Sequence, residues 1–267
     1  MFEYLVPVVE IQIGDFLVRR TVELRLVTGR ANPVDRARIV LPVQGLDPSV
    51  VELDAPVQIR AGYREKGLWP LFTGTVCDLA WSQQVRLLCK DRMDSLRSVR
   101  ITQAFVDATP KDVVSKVLDV AGVTNRQISD SVQDRRHYYV LSGQNAIESI
   151  RLVNRSWGLE DWAFFFSPEP DGGFWWGPWE ESPRNQDGEV LRLEHGKNIL
   201  ELTPFNRERR GVVQTIFLPY LRHSQLVRVR DMRFWKRDVL VRAERIFHHV
   251  TEKKARTTIE WTLVSWS

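Results

Sequence analysis

The stretch DATPKDVVSKVLDVAGV, residues 107–123, is where the periodicity of the sequence changes, and the fold class turns on its reading. Thr109 is a capping residue, Pro110 takes the first helical position, and Asp112 stands three residues after the cap, completing a capping box. Val113, Val114, Val117, Leu118 and Ala121 fall on one apolar face, and Gly122 ends the helix. A second helix is predicted in SGQNAIESIRLVNRSWG, residues 142–158, where Ala146, Ile150, Val153 and Trp157 repeat at helical steps before Gly158.

On either side the period is two. Val9, Ile11 and Ile13 alternate with polar residues, Gly14-Asp15 supplies a turn, and Val22, Leu24 and Leu26 resume the alternation, which predicts a hairpin. RARIVLPV, APVQIRAGY, LFTGTVCDLAW and VRLLCKD follow the same pattern up to Asp91. After the polar stretch EESPRNQDG, residues 180–188, strands are predicted again in VLRLEH, ILELTPF, GVVQTIFLP, LVRVRD, VLVRAERIFHHV and TTIEWTLVSW. The expected fold is mainly β with an α+β middle: two small antiparallel β-barrels, residues 1–104 and 186–267, flanking an α/β segment, residues 105–185. The flanking segments share a spacing. A strand (Val57 to Ala61, or Leu226 to Arg230) is followed by a long strand, a polar turn and its return, which reads as a weak internal repeat.

The middle segment closes with DWAFFFSPEPDGGFWWGPW, residues 161–179, eight aromatic rings around one Pro and Gly turn. Trp162, Phe164 and Phe166 alternate with Ala163 and Phe165, so the strand is apolar on both faces. Such a strand is expected to be buried on both, against its own domain and against another chain. Trp162, Phe164, Phe166, Phe174, Trp175, Trp176 and Trp179 are therefore the candidate subunit interface. The rival reading is a platform on which sugars or bases stack.

Composition narrows the classes further. A chain of 267 residues, 43% hydrophobic and 27% charged, is ordinary for a packed globular protein. The opening MFEYLVPVVEIQIGD carries acids where a secretion signal needs positive charge, and no apolar run is long enough to insert in a membrane. Two cysteines, Cys77 and Cys89, make neither a disulfide scaffold nor a four-ligand metal site; they read as thiols on neighbouring strands in a reducing compartment. His248 and His249 point to opposite faces of one predicted strand and do not chelate together. Glu160-Asp161 are a weak match to a glycosidase pair. No catalytic, metal or cofactor motif stands out, and an enzyme is not expected. The net charge of +4 conceals a basic block, residues 220–256, with eleven Lys or Arg against four acids. Its charges alternate with apolar residues, as on the wet face of a strand. A nucleic-acid footprint is the other reading.

The order of these parts resembles a known family. A small β domain, the capped helix TPKDVVSKVLDVAGV, the segment HYYVLSGQNAIESIRLVNRSWGLEDWAFFF and a second β domain resemble the baseplate hub proteins of contractile phage tails. These include late-control D, Mu-like tail proteins and the N-terminal region of type VI secretion spike proteins. Residues 145–166 look like a drifted form of the family's most recognisable segment, an acidic ESD motif, a helix carrying Arg-Leu, and an aromatic strand. LPYLRHSQLVRVRD and the strands after it resemble its last barrel. The chain departs where QNAIES replaces the acidic motif, and near His223-Ser224, where relatives carry a Gly. The resemblance implies a homotrimeric ring, two barrels per subunit, that adapts a sixfold tail tube protein to a central spike protein. It also implies other baseplate proteins as neighbours, a channel passed by DNA or a tape-measure protein, and a place in the virion after assembly in the bacterial cytoplasm. The alternative is a carbohydrate-binding or cell-wall-processing tail module using residues 161–179.

Overall fold

The computed structural model describes residues 6–19, 23–43, 51–186, 190–205 and 209–266. Contacts divide the chain into two compact units, one of Met1–Asp91, Pro168–Pro170 and Asp187–Ser267, the other of Arg92–Ser167 and Asp171–Gln186. The fold is mainly β. The first segment supplies β1 (Pro7–Ile13), β2 (Phe16–Val18), β3 (Glu23–Gly29), β4 (Arg36–Pro42), β5 (Pro56–Tyr63), β6 (Gly67–Trp81) and β7 (Gln84–Asp91). The second unit contains β8 (Arg100–Ala108), α1 (Pro110–Val120), β9 (Arg126–Ile128), β10 (Arg136–Asn145), α2 (Ala146–Ser156), β11 (Trp162–Phe166), β12 (Phe174–Pro178) and the short α3 (Pro183–Gln186). The chain closes with β13 (Leu191–Glu194), β14 (Ile199–Phe205), β15 (Arg210–Ile216), β16 (Leu226–Arg230), β17 (Val239–Thr251) and β18 (Ala255–Trp266).

The β strands of the first and last segments form one sheet, not two closed barrels. Its strand path runs β14-β15-β18-β17-β3-β4-β7-β6-β5-β1-β2, with β16 on β17 and β13 on β16. The reason lies in the length of β17. Val239–Arg242 pair with β16, and the remainder of the same edge, Arg245–Thr251, pairs with β3. That pairing occupies the edge β3 would need to close on β1. It also corrects the expected hairpin: after the turn at Gly14, which sits at φ +55°, the strand returning on β1 is the three-residue β2, while the other edge of β1 pairs with β5 and β3 pairs with β4 and β17. Val22, expected in the returning strand, lies outside the described residues, as do Asp187 and Gly188 of the polar stretch.

Within this sheet the repeat is explicit. The first half runs β3-β4-β7-β6-β5-β1, and the second runs β14-β15-β18-β17-β16-β13, the same order for the same succession along the chain. The halves differ at one pairing, β1 antiparallel to β5 against β13 parallel to β16. Each half has its own core. Ile11, Leu24, Ile39, Ile59 and Leu87 belong to the first, and Leu193, Val227, Val241, Ile259 and Trp261 to the second. Burial of such side chains contributes on the order of 1.5–3 kcal/mol each.

The α/β unit follows its capping chemistry. Thr109 caps α1 and exchanges both bonds of the box with Asp112, while Gly122, at φ +71°, and Val123 N–H to Leu118 O, 2.9 Å, close the C-terminus. Asn145 caps α2 through the same box with Glu148. The apolar faces of the two helices pack together, with Val113, Val117, Ile150 and Val153 fully buried.

Candidate subunit interface

The aromatic hairpin forms as the alternation predicts. β11 and β12 pair with Phe164 opposite Trp176, Phe165 opposite Trp175 and Phe166 opposite Phe174, and β9 lies parallel on the outer edge of β12. Directly opposed residues share a face. One face therefore carries Trp162, Phe164, Phe166, Phe174 and Trp176, and the other Phe165 and Trp175.

Both faces are covered by the unit itself. On the first, the Trp176 ring is fully buried and its Nε1–H donates to Asn154 Oδ1 of α2 at 2.8 Å. Trp162 packs on Trp176 at 4.4 Å between ring centres, Phe166 meets Phe174 edge-on at 5.3 Å, and the Arg92 guanidinium lies over Phe166 at 4.6 Å. Arg92 also donates to the carbonyls of Ser167 and Gly172, which fixes the hairpin's turn. On the second face Phe165 and Trp175 stack at 5.4 Å, and Arg184 of α3 covers Phe165 at 3.4 Å. The segment after the hairpin, with Trp179 and Ser182 buried, supplies the cover that sequence reasoning assigned to another chain.

Of the seven candidate residues, Phe164, Phe174, Trp175, Trp176 and Trp179 are 9%, 1%, 4%, 0% and 5% exposed. These five are core in the single chain and offer a neighbour almost no surface. Trp162 and Phe166 are half-buried and keep some. The same burial leaves no open ring platform for a sugar at the five.

A surface that sequence reasoning did not single out lies on the other sheet of this unit. β8 and β10 pair antiparallel with Tyr138 opposite Val106 and Val140 opposite Ala104. Tyr139 and Leu141 point inward and are buried, so their neighbours point outward. Tyr138, Val106 and Val140 are 72%, 63% and 61% exposed. The signal was present in the HYYV run: a strand alternates faces, and this one is apolar on both.

The remaining sequence candidates are dispersed. His248 is buried with Nδ1 3.0 Å from Thr257 Oγ1, and His249, on the opposite face, has Nε2 2.8 Å from Glu23 Oε1. Glu160 and Asp161 are exposed in the loop after α2. Cys77 and Cys89 are free thiols. A bulge in β6 sets Val76 opposite Cys89 while Cys77 donates to Leu88 O at 3.2 Å, and burial pushes the Cys89 thiol up to about 12. Among the described residues no three His, Cys, Asp or Glu side chains cluster to hold a metal, and no helix is long and apolar enough to cross a membrane.

The fold is that of phage tail proteins. The chain superposes on the 43 kDa tail protein of prophage MuSo2 from Shewanella oneidensis with a TM-score of 0.72 at 9% identity, covering 96% of this chain and 97% of that one. The tail protein of Neisseria meningitidis MC58 gives 0.71 at 10% identity, with 96% of each chain covered. The E. coli c3393 protein, a type VI secretion component described as structurally similar to the T4 tail proteins gp27 and gp5, gives 0.69 at 12% identity over 96% of this chain and 77% of that one. No protein-family model matches the sequence, and no curated protein sequence matches it.

Proposed function

We propose that the chain is a structural subunit at the tip of a phage tail or of a tail-like injection particle. In this reading three copies form a ring around the central channel, between a sixfold tube and a threefold spike, and the ring performs no catalysis. The observation that carries it is the doubled strand order within one chain. Three copies, each with two like-ordered β halves, present six similar units, which is what a threefold object needs to meet a sixfold one. Likeness of fold to tail proteins along nearly the full length of both chains supports the same reading. The partners are then the tube protein, the spike protein and further baseplate proteins, the channel passes DNA or a tape-measure protein, and the place is the virion after assembly in the bacterial cytoplasm.

A closed ring needs heterologous contacts, and obligate ones bury roughly 2,000 Å² or more. The outward face of β8 and β10 supplies apolar surface for them, together with the remnant of Trp162 and Phe166. Native mass spectrometry tests the reading. The expected mass is about three times 31.1 kDa. Val106→Lys with Tyr138→Lys is expected to return the monomer with its melting temperature unchanged, because both side chains stand clear of the core. A monomer or an even-numbered oligomer at every concentration would contradict the ring.

A further inference from the structure

A cleft of about 660 Å³ opens in the β unit where its two halves meet. Its floor is apolar and comes from both. Tyr63 of β5 stands edge-on to Phe217 at 6.1 Å between ring centres and donates its hydroxyl to the Phe217 carbonyl at 2.5 Å, with Val250 beside them. The rim is cationic: Arg19, Arg64, Lys253, Lys254 and Arg256 line it, against the single carboxylate of Glu252.

This charge is not the ordinary charge of the basic block. Elsewhere in that block arginines are matched with acids, Arg242 with Glu244 at 2.7 Å, Arg230 with Asp238 at 3.8 Å, and Arg233 with Asp231 at 2.6 Å. Among the described cations of the cleft, only Arg19 makes an ion pair, with Glu10 at 3.6 Å, and the Arg19 side chain is well exposed. Arg64, Lys253 and Lys254 are exposed and have no ion-pair partner among the described residues. Lys253 and Lys254 occupy the tight turn between β17 and β18, which Thr251 N–H to Lys254 O, 2.7 Å, holds in place.

We propose that this cleft docks an extended acidic segment of a partner protein, an aliphatic or aromatic side chain seated over the floor against Val6, Pro7 and Val8, which stand more open than the rings beneath, and carboxylates on either side meeting the rim. Charge complementarity selects the acidic partner, and the apolar floor selects a peptide. A nucleic acid fits less well, because single strands bind by stacking bases on exposed ring faces, whereas Tyr63 and Phe217 are 7% and 1% exposed and spend their edges on each other. The proposal gives the tail-tip reading a place where a partner attaches, and does not depend on the ring.

The test is a selection of random displayed peptides, about a dozen residues long, on the purified chain, with a Lys253→Glu, Lys254→Glu, Arg64→Glu variant as counter-target. These substitutions lie on exposed side chains, and unchanged melting of the variant checks that the fold survives. Enriched peptides are expected to carry Asp or Glu around one large apolar residue, and their synthetic forms are expected to bind the variant at least about tenfold more weakly, a difference of about 1.4 kcal/mol. Enrichment that is absent, that lacks acids, or that survives the charge reversal overturns the proposal. So does a thymidine oligonucleotide that competes for the site and is lost with the same variant, since it would assign the cleft to nucleic acid. The selection reads the same on monomer or trimer, so its failure is distinct from a failed mass measurement.

Discussion

His248 shows how strongly one residue is committed to the core. It lies against the Phe217 ring at 5.6 Å, and burial, followed by the nearby positive charge of Arg222, lowers its pKa from 6.5 to about 3. Arg222 is itself buried and gives its guanidinium to the carbonyls of Pro219, Leu221 and Pro70, which tie both halves of the sheet to one side chain. The unfolded chain takes up a proton at His248 as pH falls below 6.5, and the folded chain does not. Stability is therefore expected to fall with decreasing pH from there, at a slope approaching about 1.4 kcal/mol per pH unit before the carboxylates titrate near about 4. Denaturant unfolding from neutral pH to about 4.5 measures this, and the slope should become shallower in His248→Gln; an equal slope in parent and variant would mean the imidazole takes up its proton in the fold. Ser224 makes a second case. It is fully buried at φ +65°, where a side chain costs roughly 1–2 kcal/mol, and its hydroxyl meets His223 Nδ1 at 3.1 Å. Ser224→Gly is expected to unfold later than Ser224→Ala, by about 1 kcal/mol, since Ala keeps the strain and loses the bond; the reverse order would remove strain from the account.

At the scale of elements, the hairpin β11–β12 is the centre of the α/β unit. Trp176→Ala is expected to lower stability by about 3–5 kcal/mol, because it leaves a large cavity and an unpaired Asn154. Arg184→Ala, which only uncovers Phe165, should cost about 1 kcal/mol or less. Equal and small shifts in Tm for both variants would show that the rings are not core. The helices were legible because caps are local: Thr109 and Asp112 act on each other across one turn, and Gly122 acts on the turn just before it. The strands of both β segments were legible for the same reason, as period two is read along the chain. Their partners were not. Nothing near Leu24 or Leu26 indicates that β3 pairs with β17, more than two hundred residues away. The second cover of the hairpin was missed because Arg184 sits in a polar stretch with no periodicity, so its approach to Phe165 is a tertiary event. β8 escaped notice because its Arg100–Ala108 run lies between segments, and with it the outward face bearing Val106.

At the scale of the molecule, the repeated strand order is the property from which the function is argued. A chain whose purpose were a single binding site has no need to build the same six-strand arrangement twice and join the copies by one long strand. An adaptor between sixfold and threefold objects does. The aromatic content, which on its own suggested subunit contacts, is spent holding the α/β unit together, and surface is left to β8 and β10. Electron cryomicroscopy of tails assembled with this chain tests the central claim most directly. The account predicts one ring of three copies at the end of the tube, with six β halves following the sixfold symmetry of the tube above and threefold symmetry below. Density for the chain elsewhere in the particle, or a ring in which the two halves of each copy do not occupy equivalent places around the axis, would contradict it.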